Sequence, residues 1–101
     1  MFVYNISMLI SEFAQYLQTK KAIHCKPGIV ALAHWLRLKL ESPCVNNIDK
    51  ILHKEIYLAT NNLGCFFFIA KSDSGRVLLN SLYNFCEYYD NYKNAKKKDN
   101  L

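Results

Sequence analysis

The sequence is poor in the residues that build turn-rich or cross-linked folds. It contains only three glycines and two prolines, which argues against a β-sandwich or another fold made of many tight turns. Its four cysteines are Cys25, Cys44, Cys65 and Cys86, and no two of them form a C-x-x-C pair. This spacing predicts structural thiols in a reducing compartment, and a disulfide between neighbouring helices stays open as an alternative.

Long apolar stretches are missing as well. No run approaches the roughly 18 to 20 apolar residues that a membrane-spanning helix needs. The first twenty residues have neither a basic leader nor a small-residue cleavage site, and Asn5, Ser7 and Ser11 interrupt their apolar run. The sequence therefore predicts a cytoplasmic protein that has no membrane partner.

The sequence also lacks the common motifs of catalysis and metal binding. It has no glycine-rich phosphate loop, no G-x-S-x-G motif and no paired-carboxylate pattern. His24 and Cys25 are adjacent, and Cys44 and His53 are possible further ligands, but no pair has the short spacing of a structural zinc site. We therefore expect no enzymatic activity, no bound metal and no cofactor.

The apolar residues are sufficient for one hydrophobic core. The chain has 101 residues, of which 51% are hydrophobic, and a domain of this length buries roughly two thirds of its unfolded surface. We expect a single helical domain over residues 1–95, followed by a polar, lysine-rich tail over residues 96–101.

Helical periodicity is clear in the first half of the chain. Apolar residues recur at three- and four-residue spacing between Ile6 and Lys20, which predicts a first helix. Pro27 suits the first turn of a second helix that ends at Glu41, before Ser42–Pro43. A third helix follows a cap at Asn46 or Asn47 and continues to about residue 59.

The segment Thr60–Ala70 is ambiguous, because its apolar run over residues 64–70 fits a buried strand or a buried helix equally well. The pattern shows no second strand with which it would pair, so we interpret it as helix. Lys71–Gly75 then predicts a turn before a last helix that reaches the lysine tail. The fold class predicted by the whole pattern is all-α, a compact bundle of four to five helices.

The apolar residues that recur at helical spacing also identify the predicted core. We expect five residues to be buried: Leu32, Leu36, Ile56, Phe67 and Leu82. The inward face predicted for the second helix comprises Ile29, Leu32, Ala33, Leu36 and Leu40. The inward face predicted for the last helix comprises Leu78, Leu79, Leu82, Phe85, Cys86 and Tyr89.

Net positive charge is the first feature of the sequence that indicates a binding partner. Thirteen basic and eight acidic residues give a formal net charge of +5, which favours a nucleic-acid or anionic-membrane partner. In an up-and-down bundle, the loop after the first helix and the loop before the last helix lie at the same pole. That pole would collect the candidate phosphate-binding residues Lys20, Lys21, Lys26, Lys71 and Arg76, opposed there only by Asp73. The alternative is that these lysines are simply solvated.

Tyrosines on the last predicted helix are the second feature that indicates a binding partner. Tyr88 and Tyr92 lie four residues apart on its more exposed side. Exposed tyrosines supply a large contact area at a low cost in side-chain entropy. Tyr88 and Tyr92 are therefore candidate partner-binding residues, and packing against the core of the bundle is the alternative.

Two segments resemble the helical core-binding domain of tyrosine recombinases of the phage-integrase type. EFAQYL at 12–17, KPGIV at 26–30 and HWL at 34–36 are similar to that family's helix, basic loop and second helix. KSDSGRVLLNSLYNFCEYY at 71–89 resembles its final loop and helix. The resemblance implies a helical DNA clamp with Lys26, Lys71 and Arg76 on phosphates. Gly28 stands where the family usually has Thr or Ser, and no catalytic domain follows, so recombination itself is not expected.

Two functions remain in view. The first is a small non-enzymatic protein that binds another protein, of the inhibitor, immunity or anti-defence type. The chain is rich in Lys, Asn, Ile, Tyr and Phe, which AT-rich codons specify, and this composition is compatible with a mobile-element gene. The alternative is a DNA-binding module that uses the basic pole. The pattern favours the first, because only two basic residues are Arg, the side chain suited to bidentate phosphate and base contacts.

Overall fold

Four helices and two short strands make up the described part of the chain. The computed structural model describes residues 6–19 and 27–99, with side chains up to residue 95. In chain order the elements are α1 (Ile6–Thr19), α2 (Gly28–Glu41), α3 (Asn47–Glu55), β1 (Ile56–Thr60), β2 (Phe66–Ala70) and α4 (Asp73–Asp99). None of these described helices is long and apolar enough to cross a membrane.

A two-stranded antiparallel sheet corrects the predicted fold class. β1 pairs with β2 in a register that runs from Ile56 opposite Ala70 to Thr60 opposite Phe66. The prediction of an all-α bundle is therefore wrong. The missing partner of the apolar run is the segment 56–60, which the periodicity had placed at the end of the third helix. Ile56 and Ala59 do continue the helical spacing of α3, but the backbone of Ile56 is already extended.

A tight turn closes the hairpin between the two strands. The Asn61 side-chain oxygen accepts the backbone N–H groups of Leu63 and Cys65, at 2.9 and 3.0 Å. Gly64 has a φ of +82°, in the left-handed region that glycine adopts without a steric penalty. Its N–H donates to the Asn61 carbonyl at 3.0 Å. The chain reverses here because an asparagine satisfies the turn and a glycine permits its backbone angle.

Burial confirms four of the five predicted core residues. Leu32, Leu36, Ile56 and Leu82 are buried, together with residues of α1, α3 and α4. Phe67 was predicted wrongly, because it is exposed on the outer face of β2. Side chains alternate along a strand, so it is Phe68 that packs against the core.

The face that α2 buries also differs from the predicted one. Ala31 and Trp35 are buried beside Leu32 and Leu36, whereas Ile29 and Ala33 are exposed. The Trp35 and Phe13 ring centroids lie 5.2 Å apart. The predicted face and the face that is actually buried both contain Leu32 and Leu36, so apolar spacing alone does not distinguish them. On α4, by contrast, the predicted inward residues are all buried or half-buried, which confirms that face.

Hydrogen bonds and ion pairs fix the position of α3 against α1 and α2. The Asn46 side chain accepts the Asp49 N–H at 2.9 Å and caps the helix. The Lys39 Nζ lies 3.3 Å from Asp49 Oδ1 and 3.7 Å from Glu12 Oε2. Burial tends to raise the pKa of Asp49, but hydrogen bonds from the Val45 amide and Lys39 outweigh it and hold the pKa below its usual range. One ammonium group therefore joins three helices.

The first turn of α2 is capped by a residue of α4. Pro27 precedes the helix and has no side-chain group that accepts a hydrogen bond. Instead, the Gly28 N–H donates to both carboxylate oxygens of Asp90, at 2.9 and 3.1 Å. A Cβ atom on Gly28 would lie 3.1 Å from the Cβ and the carbonyl oxygen of Cys86. Glycine suits this position because a larger residue would force α2 and α4 slightly apart.

The described cysteines are free thiols. Cys44 and Cys65 are exposed, and Cys86 is buried between α2 and α4. Burial, with a smaller contribution from Asp90, raises the pKa of Cys86 to about 12, so this thiol stays neutral and unreactive at physiological pH. Cys25 lies outside the described residues.

Removal of the cap on α2 should weaken the fold. Asp90→Ala leaves the Gly28 N–H without its acceptor, so we expect a loss of about 1–2 kcal/mol in the free energy of unfolding. Urea denaturation followed by circular dichroism measures this difference. Glu87→Ala, at an exposed position one turn earlier on α4, is the matched control and should change stability little. Equal stability of the two variants would contradict the capping role.

Candidate functional site

The predicted basic pole is described only in part. Three of its members lie outside the described residues: Lys20, Lys21 and Lys26. The other two, Lys71 and Arg76, lie on either side of the start of α4. Arg76 lies 3.9 Å from Asp73 Oδ1, in an exposed ion pair. The Lys71 Nζ donates to the carbonyl of His53 at 2.8 Å, at the end of α3. Lys71 therefore belongs with α3 and the base of the hairpin.

The outer side of α3 carries further positive charge. Lys50 and Lys54 are both exposed and lie four residues apart, hence on the same side of the helix. Asn47, one turn before Lys50, extends the same exposed side. Since Lys71 contacts the carbonyl of His53, its ammonium group lies next to the last turn that holds Lys54. We call Lys50, Lys54 and Lys71 the basic surface.

Between residues 42 and 72 no acidic side chain is exposed, and the next acid, Asp73, is exposed and pairs with Arg76 at 3.9 Å. The two acids of this segment are Asp49 and Glu55, which are only 4% and 8% exposed. By formal charge the segment is nearly balanced, with three lysines and two acids. Because both acids point inward, the charge that the segment presents to solvent comes from lysine alone.

Glu55 is buried where α3, the hairpin and α4 meet. Its carboxylate oxygen Oε2 accepts hydrogen bonds from the hydroxyls of Ser72, at 2.9 Å, and Ser74. Its backbone carbonyl accepts the Lys71 N–H at 2.9 Å. The Ser72 hydroxyl also accepts the Gly75 N–H at 3.3 Å, which caps α4. This set of contacts holds Lys71 at the end of α3.

Gly75 makes this junction sterically feasible. A Cβ atom at this position would overlap the Glu55 carbonyl oxygen, well inside van der Waals contact. The first turn of α4 therefore packs directly on the backbone of Glu55.

Hydrogen bonding keeps the Glu55 carboxylate ionised. The hydrogen bond from the Ser74 hydroxyl contributes most to lowering the pKa of Glu55. The hydrogen bond from Ser72 and the charge of Lys54 lower it further. Burial acts in the opposite direction, but the pKa of Glu55 is lowered overall. The charge of this acid is thus compensated inside the fold.

The outer face of the hairpin is apolar and about half-exposed. Tyr57, Phe67 and Ile69 are 56%, 43% and 45% exposed, and the strand register places them on the same face. The opposite face packs against the core through Phe68 and Ala70. We call Tyr57, Phe67 and Ile69 the hairpin face.

Phe66 does not belong to the hairpin face. Its ring lies under the Arg37 guanidinium, 3.7 Å from the ring centroid to the Cζ atom. Arg37 in turn pairs with Glu41 at 3.1 Å. This cation–π contact joins α2 to β2 and uses the charge of Arg37 locally.

The two predicted partner-binding tyrosines come together at a groove between α1 and α4. Tyr88 and Tyr92 are 68% and 50% exposed. They line a groove of about 240 Å³, together with Ala14, Leu17, Gln18, Phe85 and Tyr89. The Phe85 ring centroid lies 6.5 Å from that of Tyr88 and 6.4 Å from that of Tyr89. The groove is apolar and open, and its role in binding stays a prediction.

The metal-ligand candidates are not brought together in the described part of the chain. His24 and Cys25 lie outside it. Cys44 is exposed, and the Nε2 atom of His53 lies 3.0 Å from the carbonyl oxygen of Lys39. Among the described residues, no three His, Cys, Asp or Glu side chains are placed to hold a metal ion.

Known proteins supply no template for these surfaces. Neither family models, nor curated proteins, nor solved structures give a match to this chain. The resemblance to a recombinase core-binding domain stays a prediction. Gly28, which departs from that family's pattern, has a structural role here, because it lets α2 approach Cys86.

The sequence analysis did not place Lys50 and Lys54 among the candidate phosphate-binding residues, and it missed the hairpin face. The sequence does contain a pattern that indicates the hairpin. Asn61 and Gly64 lie between two segments rich in apolar and aromatic residues, Ile56–Thr60 and Phe66–Ala70, an arrangement typical of a hairpin. Once the strands are assigned, their alternation places Tyr57, Phe67 and Ile69 on one face.

Gly75→Ala should reverse the usual effect of replacing a helical glycine. Alanine in place of glycine normally stabilises a helix by about 0.5–1 kcal/mol. Here the new methyl group would clash with the Glu55 carbonyl, so we expect the free energy of unfolding to fall by roughly 1–3 kcal/mol. Asn80→Ala, at an exposed position of α4, is the control for helix propensity. A stabilised Gly75→Ala variant would disprove the tight junction.

Glu55→Gln should destabilise the protein most at neutral pH. Since folding lowers the pKa of Glu55, the carboxylate stabilises the fold above the unfolded value, roughly pH 4.3. That contribution is lost as the pH falls through the lower, folded value. The gap in stability between wild type and variant is expected to shrink on acidification. Denaturant titrations from pH 7 to pH 3 measure it, and Glu87→Gln serves as the control. A gap that is constant with pH would contradict this role.

Proposed function

We propose that this protein binds nucleic acid through the basic surface of Lys50, Lys54 and Lys71. The observation that carries the proposal is that every exposed charged side chain between residues 42 and 72 is a lysine. Lysine ammonium groups neutralise phosphates and release their condensed counterions, which drives association with polyanions.

The composition of the surface favours contact with the phosphate backbone over base reading. Both arginines are paired with acids of their own helices, Arg37 with Glu41 and Arg76 with Asp73. Lysine acts as a compact point charge and does not supply the bidentate geometry of arginine. Phosphate contacts position a protein on nucleic acid without reading its sequence. Binding that depends little on sequence is therefore the expected mode.

Protein binding is the second candidate function, of the inhibitor, immunity or anti-defence kind expected from the sequence. The observation that favours it is the convergence of Tyr88 and Tyr92 on the groove beside α1. Interface hot spots are enriched in tyrosine. The two candidates use separate surfaces, so substitutions distinguish them.

Salt-dependent anisotropy with short labelled oligonucleotides tests the first candidate. Replacing Lys50, Lys54 and Lys71 with Gln should reduce the slope of log K against log salt concentration by roughly 0.7–0.9 for each lost phosphate contact. The matched control replaces the tail residues Lys96, Lys97 and Lys98 with Gln, which removes the same formal charge. Thermal melts check that the Lys71 substitution leaves the junction folded.

Two outcomes would contradict this assignment. One is a tail variant that loses as much affinity as the basic-surface variant. The other is a partner protein that co-purifies at high salt after nuclease treatment and is lost in Tyr88→Ala and Tyr92→Ala but retained in the lysine variant. That second pattern would establish the tyrosine groove as the binding site, since an anchor of this kind contributes on the order of 2 kcal/mol.

A further inference from the structure

We infer that the hairpin face of Tyr57, Phe67 and Ile69 is a stacking platform for the unpaired bases of single-stranded nucleic acid. The inference rests on the proposed function and names its substrate class. A stacking platform of this kind needs exposed aromatic rings that lie close together, with cations nearby.

The strand register brings the two aromatic rings together. Tyr57 pairs with Ile69, and Ala59 pairs with Phe67, so Tyr57 and Phe67 are diagonal neighbours on adjacent strands. Diagonal neighbours on one face of an antiparallel pair lie about 7–8 Å apart, within reach of large rings. The small side chain of Ala59 opposite Phe67 leaves room beside the Phe67 ring. Aromatic residues on adjacent strands of an open sheet face are a known way to stack two or three bases.

The apolar side chains of the hairpin face are not used by the core. Core packing from the hairpin comes from Ile56, Phe68 and Ala70. The other exposed ring of β2, Phe66, is occupied by Arg37. Tyr57 and Phe67 thus present flat apolar area to solvent beyond what the described fold requires.

The charges around the hairpin face select the ligand. Lys54 precedes Tyr57 by three residues, and Lys71 follows Ile69 by two. The Lys71 ammonium group lies at the end of α3, at the base of the face. A ligand that complements both features carries anionic groups together with flat apolar groups. Single-stranded nucleic acid has this chemistry, whereas the base faces of a duplex are already stacked inside the helix.

Binding by the full chain to an oligo-dT strand, and to the same strand paired with oligo-dA, tests the inference. We expect the single strand to bind more tightly. Tyr57→Ala and Phe67→Ala should each weaken single-strand binding by about five- to one-hundred-fold, the range of one lost base stack. Duplex binding should not change. Tyr57→Phe keeps the ring and should retain affinity, and Phe67→Leu keeps the apolar area without the ring and should not.

Two controls separate stacking from other causes. Leu63→Ala removes an exposed apolar side chain from the turn of the same hairpin and should leave binding unchanged. An abasic strand of equal length keeps every phosphate but offers no base. Its affinity should fall to that of the Tyr57→Ala, Phe67→Ala double variant, which should not discriminate between abasic and normal strands.

The outcomes distinguish failure of the inference from failure of the proposed function. If both nucleic acids bind equally and only the lysine substitutions matter, the inference is overturned and the proposed function stands. A duplex preference likewise overturns it, and would favour α3 as the contacting helix. If neither nucleic acid binds, both proposals fail. Binding to vesicles that contain phosphatidylserine, lost in Tyr57→Ala with no oligonucleotide binding, would assign the hairpin face to a lipid surface instead.

Discussion

The buried carboxylate of Glu55 is the contact on which the second half of the fold depends. It accepts hydrogen bonds from Ser72 and Ser74, while its backbone carbonyl receives the Lys71 amide and packs on Gly75. The end of α3, the base of the hairpin and the start of α4 are thereby fixed relative to one another. A buried charge is tolerated here because its hydrogen-bond partners replace the water that it has lost.

The same burial shapes the exterior charge. Glu55 and Asp49 are withdrawn from the surface by contacts that serve the fold, with Ser72 and Ser74 on one side and Lys39 on the other. Lys50 and Lys54 are left on the outside of α3 without an exposed acid in their own segment. The basic surface therefore arises from the inward turn of two acids, and not from an unusual number of lysines.

The predictable features are those that local signals determine. Apolar spacing and Pro43 were sufficient for α1, for the end of α2 and for the inward face of α4. The hairpin was missed because Ile56 and Ala59 fit both the spacing of α3 and a strand, and only long-range pairing decides between them. Lys50 and Lys54 were not selected, because a sequence shows how many charges a segment has but not which of them become buried. Tyr88 and Tyr92 were expected to be exposed, and they are.

The cap that Asp90 provides to Gly28 has a consequence for synthesis on the ribosome. The two residues are separated by 62 positions in the chain, so α2 emerges long before the group that satisfies its first turn. While the nascent chain is incomplete, that turn depends on solvent for its hydrogen bonds. The first turn of α2 therefore gains its cap only after Asp90 of α4 has been synthesised and has left the exit tunnel.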